Sequence, residues 1–497
     1  MFKKIPQPVK DIIQALNEAR FEAYVVGGCV RDLLLERAPK DWDITTDATP
    51  EEVMTLFPDS FYENDFGTVG VKVPRFHPST PENKEDDVIE VTTYRIESEY
   101  TDRRHPKEVL FTKDLTQDLA RRDFTINAIA YGPTKNGAWE LVDPFDGEQD
   151  AKKKIIRTVG KPEERFGEDA LRLMRAVRFL AELRDPKEKK IGWHIEKHTL
   201  QAIQKLAKNL QAISLERIRD EFSKIILSPN PSEGVALLEK TGLLQYILPE
   251  LLLGIGVTQN LHHIYTVWEH NLRALATCPS SKLEVRLAAI LHDVGKPASK
   301  RGEGYHSTFY NHDHIGARIT EKALTRLRFP TTVVKKATLL VDNHLFYYNV
   351  GEVTEASVRR LIKRVGLENM DDLMAVRIGD RLGSGVPKAK PYKLRHLEYM
   401  IEKVSHDPLS VKMLAIKGND LIDTLHIPAG PKIGAILDVL LAEVIENPAL
   451  NTPDALLKRA AELQASDLKT LRDLAKEKIE EKRAADDAQI KKKHWVE

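Results

Sequence analysis

The segment that most constrains the fold is VVGGCVRDLLLERAPKDWDITT, at residues 25–46. Apolar residues lead into Gly27 and Gly28, a helical pattern follows, and DWDITT has the character of a second strand. A strand, a glycine turn, a helix and a return strand within one short segment predict an α/β unit near the N terminus. Asp41 and Asp43 are separated by one residue in that second strand, where two like charges need an explanation.

Composition sets broad limits on the class of protein. At 497 residues the chain is too long for one ordinary core, so we expect about two to four domains. The 75 Lys and Arg residues equal the 75 Asp and Glu residues, so the chain has no overall basic excess. Any nucleic-acid-binding surface must therefore be a local patch that is offset by acidic regions elsewhere.

Cysteine usage and hydropathy indicate the compartment. Cys29 and Cys278 are the only cysteines, too few for a disulfide framework, which favours a reducing compartment. The segment MFKKIPQPVKDIIQALNEAR lacks an apolar core of signal-peptide length, and no stretch approaches about 18 uninterrupted apolar residues. We expect a cytoplasmic protein with no membrane partner.

The secondary-structure pattern changes along the chain. Helix and strand patterns alternate through about residue 150, whereas from about residue 161 strand signals fade and apolar residues recur at helical spacing. The strand patterns GTVGVKV and DVIEVTTYR are separated by PRFHPSTPENKEDD, a polar segment that predicts a hairpin loop. We therefore expect an α+β head followed by a mostly α-helical body.

The paired aspartates predict a metal site. On a strand, residues two apart point to the same face, so Asp41 and Asp43 would project side by side. Such close carboxylates either share a proton or bind a divalent cation, and oxygen ligands suit Mg²⁺, which takes substrate phosphates as further ligands. Glu90, between Ile89 and Val91 in DVIEVTT, could supply a third carboxylate. This set is typical of metal-dependent phosphoryl or nucleotidyl transfer.

The residues around the pair decide between this interpretation and a plainer one. An Asp-x-Asp tripeptide on its own is more often an ordinary surface feature than a catalytic pair. Here Gly27 and Gly28 would let backbone N–H groups approach a triphosphate, and Arg31 adds a positive charge at the start of the following helix. The combination favours nucleotide binding.

Several motifs together resemble one family. In chain order they are GGCVRDLLLERAPKDWDITT, IEVTTYR, DLARRDFTINAIAY, DPFDG and EDALRLMRAVRF. The series resembles the class II tRNA nucleotidyltransferases and bacterial poly(A) polymerases of the polymerase-beta nucleotidyltransferase superfamily. The resemblance implies a polymerase-beta-like mixed sheet with helices in the head. It also implies Mg²⁺ at Asp41 and Asp43, a catalytic position for Glu90, and nucleotide binding by Gly28 and Arg31.

The helical segment EDALRLMRAVRF predicts base selection. Asp169, Arg172, Arg175 and Arg178 follow at steps of three residues and would line one helical face. An ordinary solvated ion-pair face is the alternative. The exocyclic amine and ring nitrogen of cytosine or adenine match an accepting Asp169 and a donating Arg172, whereas uracil and guanine would leave both mispaired. Arg175 and Arg178 would then reach phosphates. In the resembled family this element selects CTP and ATP without a nucleic-acid template.

Three further features bear on the resemblance. Arg122 and Asp123 of RRDFTINA match another nucleotide-binding motif of the family, and helix–sheet packing explains the apolar residues around them but not this pair. The segment TTYRIESEYTDRRHPKEVLF resembles a loop of relatives that complete the terminal A, which favours full CCA addition, although loops vary freely. Glu36 stands where the family usually has glycine, so we expect a more constrained turn there.

The second half of the chain contains a histidine and aspartate pattern. LAAILHDVGKP places the two residue types side by side, and further His and Asp residues lie before and after it. A lone histidine is usually structural, but imidazole and carboxylate together are good ligands for divalent metals. The pattern resembles the HD-domain phosphohydrolases, whose metal set carries over to His270, His292, Asp293 and Asp380. His262 and His263 compete with His270 for the first position.

Other residues around this set are candidates for substrate contacts. His312 and His344 could hold a second metal or a phosphate, and Lys296 could contact a phosphate. The HD metal would be Mn, Ni, Mg or Fe. The resemblance suggests phosphatase or 2′,3′-cyclic phosphodiesterase activity on RNA ends, with a metal-binding but catalytically idle domain as the alternative.

These patterns divide the chain into four expected regions. They are a nucleotidyltransferase head at 1–150, a helical neck or body with nucleotide-selecting and RNA-binding helices at 151–250, an HD metal-binding domain at 251–400, and a C-terminal helical RNA-binding region at 401–497. In the last region, GPKIG could present backbone N–H groups and Lys432 to an RNA phosphate, although structural punctuation is the simpler account.

The sequence thus predicts an enzyme that adds C, C and A to the 3′ end of tRNA from CTP and ATP, with no DNA partner. The shared motifs leave open a poly(A) polymerase or a partial CC- or A-adding enzyme. A metal-dependent HD phosphohydrolase acting on RNA ends or nucleotides is the alternative from another class. A non-enzymatic RNA-binding protein would leave both metal patterns without a role.

Overall fold

The computed structural model describes residues 1–64, 67–76, 86–97, 109–134, 136–185, 192–259, 264–303, 306–346, 350–385, 392–405, 411 and 414–496. These residues form two compact units, Met1–Asp342 with Gly379–Val386, and Asn343–Ile378 with Pro387–Glu497. His262, His263, residues 77–85 of the expected hairpin loop and residues 98–108 of the expected A-addition loop lie outside the described residues.

The first unit contains a seven-stranded mixed sheet. The strands in chain order are β1 (Ala23–Val26), β2 (Asp43–Thr46), β3 (Ser60–Asn64), β4 (Thr68–Pro74), β5 (Asp86–Thr93), β6 (Arg95–Glu97), β7 (Val109–Phe111), β8 (Ala130–Pro133), β9 (Trp139–Val142), β10 (Ile155–Ile156) and β11 (His194–Ile195). The order across the large sheet is β3-β4-β5-β2-β1-β8-β9. Strands β2 and β5 are parallel, whereas the other neighbours are antiparallel.

Helices make up most of the remaining described chain. The first unit has α1 (Gln7–Glu18), α2 (Gly28–Leu34), α3 (Pro50–Leu56), α4 (Leu115–Ala120), α5 (Gly147–Lys153), α6 (Pro162–Glu168), α7 (Arg172–Leu183), α8 (Lys197–Leu206), α9 (Leu215–Leu227), α10 (Pro231–Lys240), α11 (Pro249–Leu252), α12 (Val267–Thr277), α13 (Leu283–Leu291), α14 (Lys296–Ser299), α15 (His312–Arg326) and α16 (Thr331–Asp342). The second unit has α17 (Glu355–Val365), α19 (Tyr392–Ser405), α20 (Gly418–Leu425), α21 (Pro431–Glu446), α22 (Pro453–Leu463) and α23 (Leu468–His494), and α18 (Met370–Gly383) contributes residues to both units. The expected fold class, an α+β head followed by a mostly helical body, is confirmed.

One face of the head sheet is buried against helices. Helix α1 places its apolar residues at helical spacing, and those it buries are Val9, Ile12, Ile13 and Leu16. They share one core with Ile44 and Val91 of the central strands. Full burial of such a side chain is worth about 1.5–3 kcal/mol. Because side chains alternate along a strand, the neighbours Asp43 and Glu90 point to the opposite face of the sheet.

Two positive backbone φ angles shape the turns around α2. Gly27, just before the helix, has φ +79°, a conformation that glycine adopts without strain. Glu36, just after it, has φ +58°. The amide of Arg37 donates to the carbonyl of Asp32 at 2.8 Å, and that of Glu36 donates to Leu33 at 3.2 Å, which is a Schellman ending. The constrained turn expected at Glu36 is therefore present.

The helical body begins with tightly packed helices. Helix α7 packs against α9 and α10, and α13 packs against α9, α12 and α16. Most residues of α13 are buried, so this helix is apolar on nearly all sides and ends directly at His292. Among the described helices, none combines the length and the apolar character needed to cross a membrane.

Candidate active site

Two carboxylates lie next to each other at the centre of the head sheet. Asp43 opens β2, and its register partner on the parallel strand β5 is Glu90. On the other side, Glu90 is opposite Gly70 of β4, and the ring of Phe61 lies over that glycine, 2.7 Å from where a Cβ would be. Burial raises the pKa of Glu90 to about 7, with Asp43 as the next cause. Crowded carboxylates of this kind are the environment that a divalent cation relieves.

Asp41 is placed differently from the expectation. Pairing of β2 with β5 begins only at Asp43, so Asp41 lies in the bend before the strand and is exposed, while Trp42 is buried. The expectation that both aspartates project from one strand is therefore wrong for Asp41. Asp41 still contributes to raising the pKa of Asp43, after burial itself, so the two carboxylates remain electrostatically coupled.

A fourth acidic residue of this cluster was not found from the sequence. Glu63 raises the pKa of both Asp43 and Glu90 through its negative charge, although burial is the larger cause in each case. It lies on β3, where the register with β4 shifts between Tyr62 and Asn64. A register shift is set by pairing between strands, so the local sequence carries no signal for it.

The turn after β1 brings backbone amides and two arginines together. A Cβ added at Gly27 would lie 2.8 Å from Nη1 of Arg122, so only glycine lets the guanidinium approach the backbone this closely. Gly28 begins α2. Arg31 donates to the side-chain oxygen of Asn127 at 2.9 Å, which fixes its direction. These positively charged groups make a place where an anionic group is favoured.

Asp118 connects this turn to the sheet. It is completely buried, and Oδ2 accepts a hydrogen bond from Thr45 Oγ1 at 3.2 Å. Arg121 Nη2 lies 2.8 Å from its Oδ1, and Arg122 Nη2 lies 3.6 Å from Oδ2. Burial would raise the pKa of Asp118, but the two arginines outweigh it and lower that pKa. The i,i+3 and i,i+4 spacing in DLARRD was the available sequence signal.

Asp123 is paired inside the head. Its Oδ2 accepts from Nε of Arg175 at 2.7 Å, and its Oδ1 accepts from Nδ2 of Asn127 at 3.1 Å. Burial would raise the pKa of this carboxyl, but Arg175, Asn127 and Arg172 together outweigh it, so the pKa falls to about 2. The structure therefore joins the RRDFTINA motif to α7 by a charged hydrogen bond.

Arg178 is enclosed in protein. It is 7% exposed and donates to Oε1 of Glu221, itself 4% exposed, at 3.0 Å. The ring of Phe179 lies beneath three guanidinium groups, those of Arg31, Arg175 and Arg178, at 5.3, 5.3 and 4.6 Å from its centroid. Sequence reasoning missed Phe179 because an aromatic residue in an amphipathic helix looks like ordinary core.

Of the two residues expected to select the base, only Arg172 lies in a helix, and Asp169 precedes it. Helix α7 begins at Arg172, and Asp169 lies in the turn before it with φ −136°. The expectation of one continuous helical face is wrong for Asp169, because its extended backbone interrupts the helix. Its carboxylate accepts two hydrogen bonds from Arg217, at 2.7 and 3.3 Å. Arg172 contacts the carboxylate of Glu168 and donates to the carbonyl of Arg121 at 3.1 Å.

The four expected HD residues converge on one buried point. Nε2 of His270 lies 3.0 Å from Nε2 of His292 and 3.1 Å from Oδ1 of Asp380. Oδ2 of Asp293 lies 3.4 and 3.3 Å from the same two nitrogens. Two ligand atoms of one octahedral ion, each about 2.1 Å from the metal, lie about 3.0 Å apart, so these side chains fit a shared divalent ion.

Neighbouring groups orient these side chains. The Nδ1 atom of His292 contacts the carbonyl of Ala289 at 2.9 Å, which leaves Nε2 facing the cluster. Burial would lower the pKa of His292, but Asp293 and Asp380 raise it to about 10. A bound cation would take the place of that proton. The mixture of imidazole and carboxylate favours a transition metal over Mg²⁺.

Two of the three remaining candidates, Lys296 and His312, lie close to Asp293. Lys296 is buried, and its Nζ lies 2.6 Å from Oδ2 of Asp293, so this carboxylate neutralises its charge. Nε2 of His312 lies 3.4 Å from Oδ1 of Asp293. His344 belongs to the second compact unit.

Models of four known protein families match successive segments of the chain. A model of the Poly A polymerase head domain matches residues 23–157, and one of the probable RNA and SrmB-binding site of polymerase A matches 192–253. An HD domain model matches 260–381, and a tRNA nucleotidyltransferase domain 2 model matches 391–460. The chain is 31% identical over 459 residues to a CCA-adding enzyme of Leuconostoc citreum, covering 91% of this chain and 95% of that protein. The chain belongs to the family of CCA-adding enzymes.

Other relatives of the family show how far the similarity extends. The match to a CCA-adding enzyme of Anoxybacillus flavithermus is 45% identical over 240 residues, and the chain spans only 55% of that protein there. An A-adding tRNA nucleotidyltransferase of Deinococcus radiodurans is 34% identical over 70% of this chain and 80% of its own. The Bacillus stearothermophilus CCA-adding enzyme, solved in complex with CTP, is 29% identical with a TM-score of 0.56, covering 93% of this chain and 98% of that one. Nucleotidyltransferases of the family use divalent metal ions, generally Mg²⁺.

Proposed function

We propose that the protein adds C, C and A in turn to the 3′ end of tRNA, taking them from CTP and ATP. The observation that carries the proposal is the register of Asp43 with Glu90, on the sheet whose strand β1 leads into the Gly27 turn that Arg122 approaches. Carboxylates for metal and cationic groups for phosphate are the two components that nucleotidyl transfer needs. The expected compartment is the cytoplasm.

The carboxylates are proposed to hold the reacting atoms. Asp41, Asp43 and Glu90 would bind Mg²⁺, which when present lowers the pKa of a hydroxyl and neutralises charge on phosphate oxygens. Burial, and after it the neighbouring carboxylates, raises the pKa of Asp43 and Glu90, which supports this assignment. These carboxylates would bring the terminal ribose of tRNA beside the α-phosphate of the nucleotide, in line with the leaving pyrophosphate.

The triphosphate would be bound at the turn before α2. The backbone N–H groups of Gly27 and Gly28, with the guanidinium groups of Arg31 and Arg122, would hold its oxygens. Arg31 is already directed by Asn127, so it loses little side-chain freedom on binding.

Base selection is proposed for Asp169 and Arg172. The carboxylate of Asp169 would accept from the exocyclic amine of cytosine or adenine, and Arg172 would donate to the ring nitrogen. Arg217 and Glu168 contact these two side chains and would hold their orientation. Asp123 and Arg175, which are paired with each other, would also line the nucleotide-binding site.

Two narrower activities of the same site remain as alternatives. The similarity to an A-adding enzyme keeps partial addition open, and poly(A) synthesis uses the same kind of head. The products distinguish them, because an A-adding enzyme extends only tRNA that already ends in CC, and a poly(A) polymerase makes long A tails.

A second function is favoured by the HD cluster. We propose that His270, His292, Asp293 and Asp380 would hold one divalent metal, of the Mn, Ni or Fe type or Mg²⁺, and that the protein hydrolyses phosphate esters at RNA ends at this site. The convergence of their ligand atoms within 3.0–3.7 Å supports this. Release of phosphate from an RNA 3′-phosphate or a 2′,3′-cyclic phosphate would test it. No release with Mn²⁺, Ni²⁺, Fe²⁺ or Mg²⁺ would leave the domain as a binding module.

A matched pair of carboxamide variants separates the two sites. Asp43→Asn should lower CMP and AMP incorporation into tRNA by about 1,000-fold or more, because the amide no longer binds Mg²⁺ as a carboxylate does. Asp293→Asn removes a carboxylate of the same size at the HD cluster and should abolish only phosphate release. Incorporation that survives Asp43→Asn would contradict the proposal for the head.

A further inference from the structure

Helix α17 carries a strongly positive face. Its sequence EASVRRLIKRV buries three apolar residues, Val358, Leu361 and Val365. Its four basic residues are exposed, and they are Arg359, Arg360, Lys363 and Arg364. Apolar and basic residues therefore occupy different sides of the helix, in a chain whose total charge is zero.

Three of these charges have no acidic partner among the residues that the structure describes. Arg359 donates to the carboxylate of Glu355 at 3.1 Å, one turn earlier. Arg360 donates to the hydroxyl of Ser357 at 2.9 Å and makes no ion pair with a described residue. The side chains of Lys363 and Arg364 take part in no ion pair or hydrogen bond within the part of the chain that the structure describes. An exposed group of uncompensated cations is an electrostatic footprint for a polyanion.

A small cavity lies against this face. Its volume is about 240 Å³, and the residues that line it are Phe346, Val353, Ser357, Val358, Arg360, Leu361, Arg364 and Leu397. Two guanidinium groups and a hydroxyl on one wall are suited to phosphate oxygens. The volume is below the range of about 300–1,000 Å³ that is typical of sites for whole small molecules, so it suits one group of a longer chain.

We propose that the face of α17 formed by Arg360, Lys363 and Arg364 binds the phosphodiester backbone of RNA, with one phosphate at the cavity. This inference rests on the proposed function, since the RNA would be the tRNA substrate. Lys363 and Arg364 are adjacent in the sequence, and Arg360 lies about one helical turn before them, about 4.5–6 Å along the axis, so the charges form a short row rather than a single point. The helix lies in the segment that matches the HD model, outside the segment that matches the RNA-binding model.

Binding of a tRNA transcript that ends before CCA tests the proposal. The dissociation constant of the full-length protein is measured by fluorescence anisotropy between about 50 and about 200 mM KCl, because each phosphate contact adds about 0.7–0.9 to the salt slope. The variant Arg360→Ala, Lys363→Ala, Arg364→Ala should lower that slope by about 2–3 and weaken binding about 10-fold or more near physiological salt.

Two control variants keep the result interpretable. Arg359→Ala removes the neighbouring cation that Glu355 already neutralises, and it should leave the slope unchanged. The double variant Arg360→Lys, Arg364→Lys keeps the charge and should retain the wild-type slope. Thermal unfolding checks that all variants fold, which is expected because the altered side chains are exposed.

An unchanged slope in the triple variant, with affinity within about twofold of wild type, would overturn the inference. An equal loss in Arg359→Ala would do the same, and an acidic protein partner would then be the better explanation of the face. Failure of the proposed function would give a different result, because the wild-type protein itself would then extend no tRNA, independently of the residues on α17.

Discussion

The buried ion pair between Arg178 and Glu221 gives a quantitative test of how α7 is held. Arg178→Met leaves Glu221, which is 4% exposed, without its direct donor at 3.0 Å. Removing one partner of a buried pair costs about 3–5 kcal/mol. Arg175 and Lys224 remain 3.9 and 3.6 Å from that carboxylate, so we expect the lower end, about 3 kcal/mol. Replacing both partners, in Arg178→Met with Glu221→Leu, should cost less than about 1 kcal/mol, because no charge is left buried.

Thermal unfolding followed by circular dichroism measures this difference. For a unit of about 350 residues, about 3 kcal/mol corresponds to a fall of about 4 °C in the transition that reports this unit. The double variant should recover most of that fall. A single variant that loses less than about 2 °C, or a double variant that falls as far as the single one, would refute the reasoning. The KM for CTP in the double variant then shows whether Arg178 also contacts phosphate, since such a role would raise it without the loss of stability.

Three further predictions concern single positions. Glu36→Gly removes left-handed strain of about 1–2 kcal/mol, which stabilises the fold, but the greater entropy of the unfolded chain offsets about 0.4–1 kcal/mol of that gain. The midpoint should therefore rise by about 1–2 °C, whereas Glu36→Ala should not raise it. The raised pKa of Glu90 means that the folded, metal-free protein holds this proton more tightly than the unfolded chain, so its contribution to stability is full below the ordinary pKa and lost as pH rises through about 7. In EDTA, the free energy of unfolding of the wild type should therefore fall by about 1 kcal/mol relative to that of Glu90→Gln between about pH 5 and about pH 8. This value is reduced for solvent screening, because the group is partly exposed. A difference between the two proteins that stays constant with pH would contradict the prediction. Asp380→Asn should lower Mn²⁺ affinity at the HD cluster by at least about 10-fold, measured by titration, and equal affinity would show that Asp380 is not a ligand.

Local patterns predicted those elements whose signal lies in adjacent residues. Helix α1 follows from apolar spacing, β1 follows from the apolar run before Gly27, and β2 follows from the strand character of DWDITT. The turn at Glu36 was predictable because an unusual residue stood at a position that favours glycine. The HD residues were predictable because their types and order are distinctive, and the structure brings His270 into the cluster, whereas His262 and His263 lie outside the described residues.

Contacts between distant segments could not be predicted in the same way. Asp43 and Glu90 meet because β2 and β5 are neighbours in the sheet, which no local pattern specifies. Arg217 reaches Asp169 because α9 packs against α7, and packing fixes which of many arginines lies opposite. Asp169 also accepts a local hydrogen bond from the amide of Leu171 at 3.0 Å, and a rule based on residue spacing alone does not detect the interruption of the helix there.

Extension of three tRNA transcripts tests the central claim most directly. The transcripts end at the base before CCA, at C and at CC, and each is incubated with the purified full-length protein and CTP, ATP or both. We predict that CTP alone extends the first two to CC and no further, that ATP alone adds a single A only to the third, and that both nucleotides bring all three to CCA. Extension of none of them, or incorporation of A alone as a long tail, would contradict the account.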